Sequence, residues 1–282
     1  MPCFSGFSTG LAADTGYIMV GDLKIEDFQK RGINMRRFLL ITLMAGSICS
    51  SACALGESAR KQGSYHYQMG VSYFNESNMT AALTELTEAE KYDSDNADLL
   101  NYLGMAYYNK KKFDIAEQKY LKALALKPTF SDARNNLGVD YLEMQRWDDA
   151  ILQFKLVTED IFYQNQETAG INLGIAYFGK GGYPKALSLL RSVVANYPRD
   201  PRGRLNLGKV YFALDKIDLA VEEYKKALES NRDYANAYYN LGLAYLKKKD
   251  GLAAQTAFRE VLRIAPDSEI GQLAKEYLDI LK

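Results

Sequence analysis

The chain has 282 residues and carries 35 basic and 35 acidic side chains, so its formal net charge is zero. Such a balance provides no broad field to attract nucleic acid or an anionic membrane surface, and we expect no nucleic-acid partner. The three cysteines all precede residue 54, and His66 is the single histidine. This excludes a disulfide framework or a cysteine-rich metal site in the region that we expect to fold.

The first recognisable segment, residues 35–53, looks like the beginning of an exported protein. Met35, Arg36 and Arg37 are followed by an apolar run over residues 38–48 and by small residues. Basic, apolar and small residues in this order are typical of a secretory signal peptide. The run is shorter than the roughly 20 residues that span a bilayer as a helix. On this interpretation residues 1–34 are a start-site artefact or a disordered extension.

The end of that segment, Ser-Ser-Ala-Cys at residues 50–53, resembles the end of a bacterial lipoprotein signal. In that class the cysteine becomes the lipidated first residue of the mature chain. The resemblance implies lipidation at Cys53 and attachment to the periplasmic face of the outer membrane, which Ala54 favours over the inner membrane. Two alternatives remain: cleavage after Ala52, which would give a soluble periplasmic protein, and an uncleaved anchor.

After a linker at residues 54–62, the sequence repeats itself. Six glycines, most of them in the motif Leu-Gly-x-x-Tyr, are spaced 34, 34, 36, 34 and 34 residues apart, and an alanine follows each at twelve residues. These positions are Gly70, Gly104, Gly138, Gly174, Gly208 and Gly242, with Ala82, Ala116, Ala150, Ala186, Ala220 and Ala254. Apolar residues at helical spacing around each glycine predict pairs of helices. The small residues let the two helices of a pair cross closely.

This pattern resembles the tetratricopeptide repeat over residues 63–267. The resemblance implies an all-α fold, a right-handed superhelical solenoid of six repeats with two helices each. Pro128, Pro198 and Pro266 are expected to end second helices, because proline removes a backbone donor and clashes with the preceding turn. Residues 268–282 carry apolar side chains at helical spacing and are predicted to form a capping helix over the last apolar face.

One join departs from the period. The interval between Gly138 and Gly174 is two residues longer than the others, and Phe162 and Tyr163 lie in it where other repeats have a turn. The extra residues are either a tolerated surface insertion or an element that changes the superhelix path or contacts a partner.

The sequence shows no recognisable catalytic constellation. Residues 174–181, GIAYFGKG, approach the phosphate-loop pattern, but they end a predicted helix and do not follow a strand, as a phosphate cradle requires. A single histidine leaves no nucleophile–histidine pair to build. We therefore expect no enzyme, no catalytic residues, no cofactor, no metal and no small-molecule substrate.

The resemblance to the repeat implies that the first helices line a concave groove. The lining positions lie three residues before, one after and four after each glycine. They are Tyr67, Val71, Phe74, Asn101, Met105, Tyr108, Asn135, Val139, Leu142, Ile171, Ile175, Phe178, Leu205, Lys209, Phe212, Tyr239, Leu243 and Leu246. The groove is thus mostly apolar and aromatic, with a polar patch at Asn101 and Asn135. It favours an extended or helical apolar segment of another protein.

Among these, the positions three before and one after the glycine are expected to be most informative about binding. The position four after the glycine is often aromatic in the repeat itself, so part of that stripe is structural. Within that set, Ile171, Ile175, Leu205 and Leu243 are expected to carry the most information.

The signal segment, six repeats, a longer join and a short terminal helix together resemble the type IV pilus pilotin family, which includes PilF, PilW and Tgl. Its members are outer-membrane lipoproteins that help the pilus secretin to reach the membrane and multimerise. The resemblance implies a non-enzymatic chaperone that binds a secretin segment in its groove. The alternative is a lipoprotein adaptor of similar build that recruits cell-wall hydrolases or outer-membrane assembly factors.

Overall fold

The computed structural model describes residues 57–281 and the backbone of two short strands nearer the N-terminus. These strands, β1 (Met19–Val20) and β2 (Leu23–Lys24), pair antiparallel, with Met19 opposite Lys24. This hairpin was not predicted from the sequence. The rest of residues 1–34, the predicted signal segment and Cys53 lie outside the described residues. By its internal contacts the chain divides into two units, residues 1–64 and 65–282.

Thirteen helices lie within residues 57–281. They are α1 (57–75), α2 (Met79–Tyr92), α3 (Ala97–Asn109), α4 (Phe113–Leu126), α5 (Ser131–Glu143), α6 (Trp147–Glu159), α7 (Gln166–Gly179), α8 (Tyr183–Asn196), α9 (Pro201–Ala213), α10 (Ile217–Ser230), α11 (Ala235–Lys247), α12 (Gly251–Ile264) and α13 (Glu269–Ile280). The first twelve form six antiparallel pairs and α13 follows them. This confirms the predicted all-α solenoid of six repeats with a capping helix.

The predicted linker is corrected in part, because residues 57–62 are helical and belong to α1. This stretch contains Glu, Ala, Arg, Lys and Gln, which are good helix formers. Glu57 Oε1 and Lys61 Nζ lie 2.8 Å apart, an i,i+4 ion pair of the kind that supports an exposed helix. The first helix therefore extends at least six residues ahead of the predicted repeat boundary at residue 63.

The two helices of each repeat cross where the motif glycine meets a large side chain of the second helix. A methyl group added at Gly138 would lie 2.6 Å from Cε1 of Phe154, and one at Gly104 would lie 2.5 Å from Cε1 of Tyr120. The six motif alanines of the second helices are fully buried. Small residues on both helices thus set the distance between them.

The same turn joins the first helix to the second in all six repeats. Its residue seven after the motif glycine has a left-handed backbone, with φ between 56° and 63° at Ser77, Lys111, Gln145, Asp215 and Lys249 and 80° at Gly181. In repeat two, the Lys111 N–H donates to the Tyr108 carbonyl and the Lys112 N–H to the Tyr107 carbonyl, at 2.8 and 3.0 Å. These two bonds satisfy carbonyls that the helix end leaves open.

Two predictions about helix ends are confirmed. Residues 174–181 end α7 with Gly181 in the turn, so the resemblance to a phosphate loop is accidental. The helices α4, α8 and α12 end at Leu126, Asn196 and Ile264, two residues before the three prolines.

The first helices form the inner side of the stack. Within residues 97–280 they contact one another from repeat to repeat, α3 with α5, α5 with α7, α7 with α9, α9 with α11 and α11 with α13. The second helices make no comparable contact with each other in this range. Elements on the inside of a curved stack approach most closely, so the first helices line its inner face. None of the helices in residues 57–281 is long and apolar enough to cross a membrane.

The helix α13 closes the C-terminal end of the stack. Its Tyr277 ring stacks on Phe258 of α12, with centroids 5.0 Å apart and planes 6° from parallel. Ala274 is fully buried beneath it. The Ser268 hydroxyl accepts a hydrogen bond from the Gly271 N–H at 3.1 Å, so a side chain caps the start of this helix.

Candidate protein-binding groove

The eighteen predicted groove positions separate into two sets by exposure. Four of them, three residues before the glycines of repeats two to five, are almost closed to solvent: Asn101, Asn135, Ile171 and Leu205. The other fourteen are partly exposed along the inner face: Tyr67, Val71, Phe74, Met105, Tyr108, Val139, Leu142, Ile175, Phe178, Lys209, Phe212, Tyr239, Leu243 and Leu246. A partner could therefore touch a continuous stripe on all six repeats.

The expectation for Ile171 and Leu205 is corrected by their burial. Only 3% of Ile171 and 4% of Leu205 is exposed, and Leu205 belongs to the core around α9 and α10. A methyl group added at Gly203 of α9 would lie 3.9 Å from Cδ1 of Ile171 on α7. These side chains pack one repeat against the next, so they offer little area to a partner.

The polar patch at Asn101 and Asn135 is a link between repeats. The Asn136 side-chain amide donates to Asn101 Oδ1 at 3.0 Å, and the Asn172 side-chain amide donates to Asn135 Oδ1 at 3.2 Å. Each bond joins first helices of neighbouring repeats and satisfies a buried amide oxygen. Sequence analysis missed the two donors, although an asparagine precedes Leu-Gly in four repeats, at residues 136, 172, 206 and 240.

The groove has a depression between repeats two and three. A depression of about 170 Å³ is lined there by Met105, Tyr108, Asn109, Tyr120, Asn136 and Val139. Small-molecule sites usually measure roughly 300–1,000 Å³, so this depression suits a single apolar side chain of a protein segment. The Tyr108 hydroxyl lies 3.4 Å from Glu143 Oε1, and its ring centroid is 5.7 Å from that of Phe113.

Aromatic side chains also group at the start of the groove. The Tyr102 ring makes edge contacts with Tyr67 and Phe74, at centroid distances of 6.0 and 5.7 Å. Burial raises the pKa of the Tyr67 hydroxyl, so this ring is neutral across the physiological range. The groove surface of repeat one is therefore apolar and aromatic, with no charge contributed by Tyr67.

Lys209 is the only charged side chain among the eighteen positions. Its ammonium is partly buried, and burial lowers its pKa. It makes no ion pair or hydrogen bond within residues 57–281. The acidic residues that follow in the chain are engaged elsewhere, because Asp215 pairs with Lys247 at 2.7 Å and Asp218 with Lys248 at 2.5 Å.

A second ionisable side chain is buried in α5, and sequence analysis did not single it out. Asp140 is completely buried, and neither of its carboxylate oxygens has a hydrogen-bond partner among the described residues. Burial, together with the negative charges of Glu117 and Asp114, raises the pKa of Asp140 to about 7. Across residues 57–281, no three acidic, histidine or cysteine side chains cluster so as to hold a metal ion.

The irregular join between α6 and α7 places two apolar side chains in solvent. Ile161 is 83% exposed and Phe162 is 86% exposed. The Asp160 carboxylate fixes the loop, accepting the Phe162 N–H at 3.0 Å and the Ser131 hydroxyl at 2.5 Å. The two extra residues are thus accommodated in a surface loop while α6 and α7 still pack together.

Comparison with known sequences agrees with this architecture. Models of the tetratricopeptide repeat match residues 67–129 and 171–228, 208–249, and 235–268, together more than half of the chain. The chain is a tetratricopeptide-repeat protein. Proteins of this class are protein–protein interaction scaffolds and are typically non-catalytic.

The curated relatives share only a stretch of repeats. The chain is 30% identical over 113 residues to the chloroplastic protein PYG7 of Arabidopsis thaliana, covering 38% of this chain and 36% of that protein. It is 34% identical over 93 residues to the human protein O-mannosyl-transferase TMTC3, covering 33% of this chain and 10% of that enzyme. The chain therefore spans little more than a third of PYG7 and a tenth of TMTC3.

Several solved structures match over more of the chain. PilW, a type IV pilus biogenesis factor, superposes with a TM-score of 0.68 at 20% identity, over 76% of this chain and 98% of that chain. PilF of Pseudomonas aeruginosa gives 0.62 at 19% identity, over 78% and 98%. A tetratricopeptide-repeat protein of Parabacteroides merdae gives 0.67 at 18% identity, over 86% and 95%. At these identities the similarity establishes the fold.

Proposed function

We propose that this scaffold is an outer-membrane lipoprotein that promotes localisation and multimerisation of the type IV pilus secretin. The proposal rests on two features that occur together in this chain. Residues 35–53 resemble a lipoprotein signal, and the repeats that follow match PilW and PilF over 98% of the length of each. The partner in this proposal is a segment of the secretin, and no small molecule or nucleic acid takes part.

The partly exposed groove stripe supports a chaperone mechanism. Most of the fourteen exposed positions are aliphatic or aromatic, and contiguous exposed apolar surface usually marks an interface. Covering an apolar secretin segment there would remove apolar area from water on both molecules. It would also prevent secretin subunits from associating too early. Lipidation at Cys53 would hold the complex at the periplasmic face of the outer membrane.

The proposal is tested by deleting the gene and blotting outer-membrane fractions for heat-resistant secretin multimers. We expect the multimers to be lost in the deletion strain and restored by the wild-type gene. A strain carrying Cys53→Ala reports whether the lipid is needed for that restoration. Multimers that persist in the deletion strain at normal level and location would contradict the proposal, and the adaptor alternative would then be pursued by crosslinking from the groove.

The groove itself is tested with two matched variants. Ile175→Asp places a charge on the partly exposed inner stripe, and Leu152→Asp places the same charge on α6, where Leu152 is 55% exposed. We expect Leu152→Asp to restore the multimers and Ile175→Asp to fail, with both proteins present at wild-type level and unfolding at similar temperatures. Equal restoration by both variants would show that the segment binds elsewhere.

A further inference from the structure

Lys209 is a charged side chain at a position that disfavours charge. It lies one residue after Gly208 on α9, where the neighbouring repeats carry Ile175 and Leu243. Its ammonium is partly withdrawn from water, which lowers its pKa. Removing an ammonium from water without pairing it costs free energy, and no group within residues 57–281 pairs with it. A group from outside this part of the chain would account for the lysine.

The chemistry of the Lys209 ammonium indicates that its partner is an anion. An ammonium offers three donors and no acceptor, and its attraction to a carboxylate is stronger in a partly desolvated site than in water. The next acidic residues along the chain, Asp215 and Asp218, form their own ion pairs with Lys247 and Lys248. Lys247 lies on the next first helix, α11, and its Nζ is also 5.1 Å from the centroid of the Phe212 ring on α9.

The position of Lys209 along the groove favours a carboxylate on a side chain inside a bound segment over the carboxylate at the end of one. Partly exposed apolar side chains continue on both sides of it, Ile175 and Phe178 in repeat four and Leu243 and Leu246 in repeat six. A segment that ended at Lys209 with a terminal carboxylate would leave one of these sides uncovered. A segment that crosses all three repeats covers both.

We infer that repeats four to six bind an apolar segment carrying one aspartate or glutamate, whose carboxylate pairs with Lys209. The inference rests on the groove binding proposed above and adds the chemistry of the partner. It also explains why a partly buried, unpaired lysine lies in the groove, since residues that serve binding are often suboptimal for stability.

The test uses the full-length protein in detergent and a phage library of random 12-residue peptides, selected against wild type, Lys209→Met and Lys209→Glu. Wild type should enrich apolar peptides with one acidic residue at a fixed position. Lys209→Glu should replace that residue by Lys or Arg, and Lys209→Met should remove the preference. For the consensus peptide made synthetically, Lys209→Met should weaken binding about tenfold. The same peptide with Gln in place of its acid should bind wild type and Lys209→Met equally.

The results distinguish the Lys209 inference from the proposal that the groove binds a segment at all. Apolar peptides without an acid, or an acid preference that survives Lys209→Met, would overturn the Lys209 inference and leave groove binding standing. Peptides that bind Ile175→Asp protein as well as wild type, or no enrichment from wild type at all, would overturn groove binding and the inference with it. Lys209→Met should also raise the unfolding midpoint of the free protein; a lower midpoint would mean that the lysine serves the fold.

Discussion

Asp140 occupies a position where repeats two, four, five and six bury a small apolar side chain. The corresponding residues are Ala106, Ala176, Val210 and Ala244, all fully buried. Burial raises the pKa of Asp140 from 3.8 to about 7. Between pH 3.8 and about 7, the folded protein therefore keeps a proton on Asp140 that the unfolded chain has released. The contribution of this group to stability is therefore complete below about pH 4 and is lost as the pH rises through 7.

Replacing this carboxylate should stabilise the protein in a pH-dependent way. We expect Asp140→Ala to raise the free energy of unfolding on the order of 2–4 kcal/mol at pH 8, and by much less at pH 5. Urea unfolding of the variant and wild type at both pH values measures this. Glu167, whose pKa is also raised to about 7 by its hydrogen bond to Asp200, titrates in both proteins and cancels in the difference. Equal gains at the two pH values would contradict the assignment.

The motif glycines are predicted to be required because a larger residue would collide with the second helix. Gly138→Ala places a methyl group 2.6 Å from the Phe154 ring, and such overpacking costs roughly 1–3 kcal/mol. Gly251→Ala is the matched control, because the nearest atom there, Cδ2 of Leu281, is 3.9 Å away. The control should gain roughly 0.5–1 kcal/mol, since alanine restricts the unfolded chain. Loss of stability in both variants, measured by chemical denaturation, would argue against a local clash.

The left-handed turns offer a second pair of substitutions with opposite signs. Gln145→Gly should stabilise by roughly 0.5–1 kcal/mol, because a residue with a Cβ is strained in this conformation and glycine is not. Gly181→Ala should destabilise by about 1 kcal/mol through the same strain, since no neighbouring atom lies within 4 Å of an added methyl group. Melting temperatures of the two variants suffice, and shifts of the same sign would refute the explanation.

At the scale of the element, α13 is needed because α12 would otherwise expose an apolar face. Tyr277→Ala removes the ring stacked on Phe258 and should cost roughly 2–3 kcal/mol. Ile280→Ala, on the same helix but 79% exposed, should change stability by no more than about 0.5 kcal/mol. Thermal unfolding followed by circular dichroism compares them. Equal effects would mean that α13 stabilises the stack by other contacts.

The helices and their order could be predicted from the sequence because the motif glycine, its aromatic partner and the alanine recur at fixed offsets. The first residues of α1 could not, since residues 57–62 carry no motif and are helical through intrinsic propensity and the Glu57–Lys61 pair. The resemblance to the tetratricopeptide repeat also predicted which residues lie on the inner side. It could not show that Ile171 and Leu205 are covered, because that depends on how closely the next repeat approaches.

The polar groups show the same limit. Asn136 and Asn172 recur at one offset in the sequence and could have been found. The isolation of Asp140 could not, because it requires knowing that no donor among the described residues reaches its oxygens.

At the scale of the molecule, the repeats of residues 65–282 contact mainly their immediate neighbours. Stability in such a stack is approximately a sum over repeats and their interfaces, so a local defect should stay local. Hydrogen exchange of Gly138→Ala should therefore rise first in α4 to α7, while α11 to α13 keep wild-type protection. Uniform acceleration over the whole range would show that the six repeats open as one cooperative unit.

The scarcity of charge along the groove bears on how quickly a partner arrives and leaves. Thirteen of the fourteen partly exposed groove positions are uncharged, and the whole chain has no net charge, so an approaching segment experiences little electrostatic steering. Association without steering typically proceeds at roughly 10⁵–10⁶ M⁻¹s⁻¹ and depends weakly on salt. Affinity then depends on slow dissociation. A segment held this way has a long residence time, and its release depends on a competing surface that covers the same apolar residues.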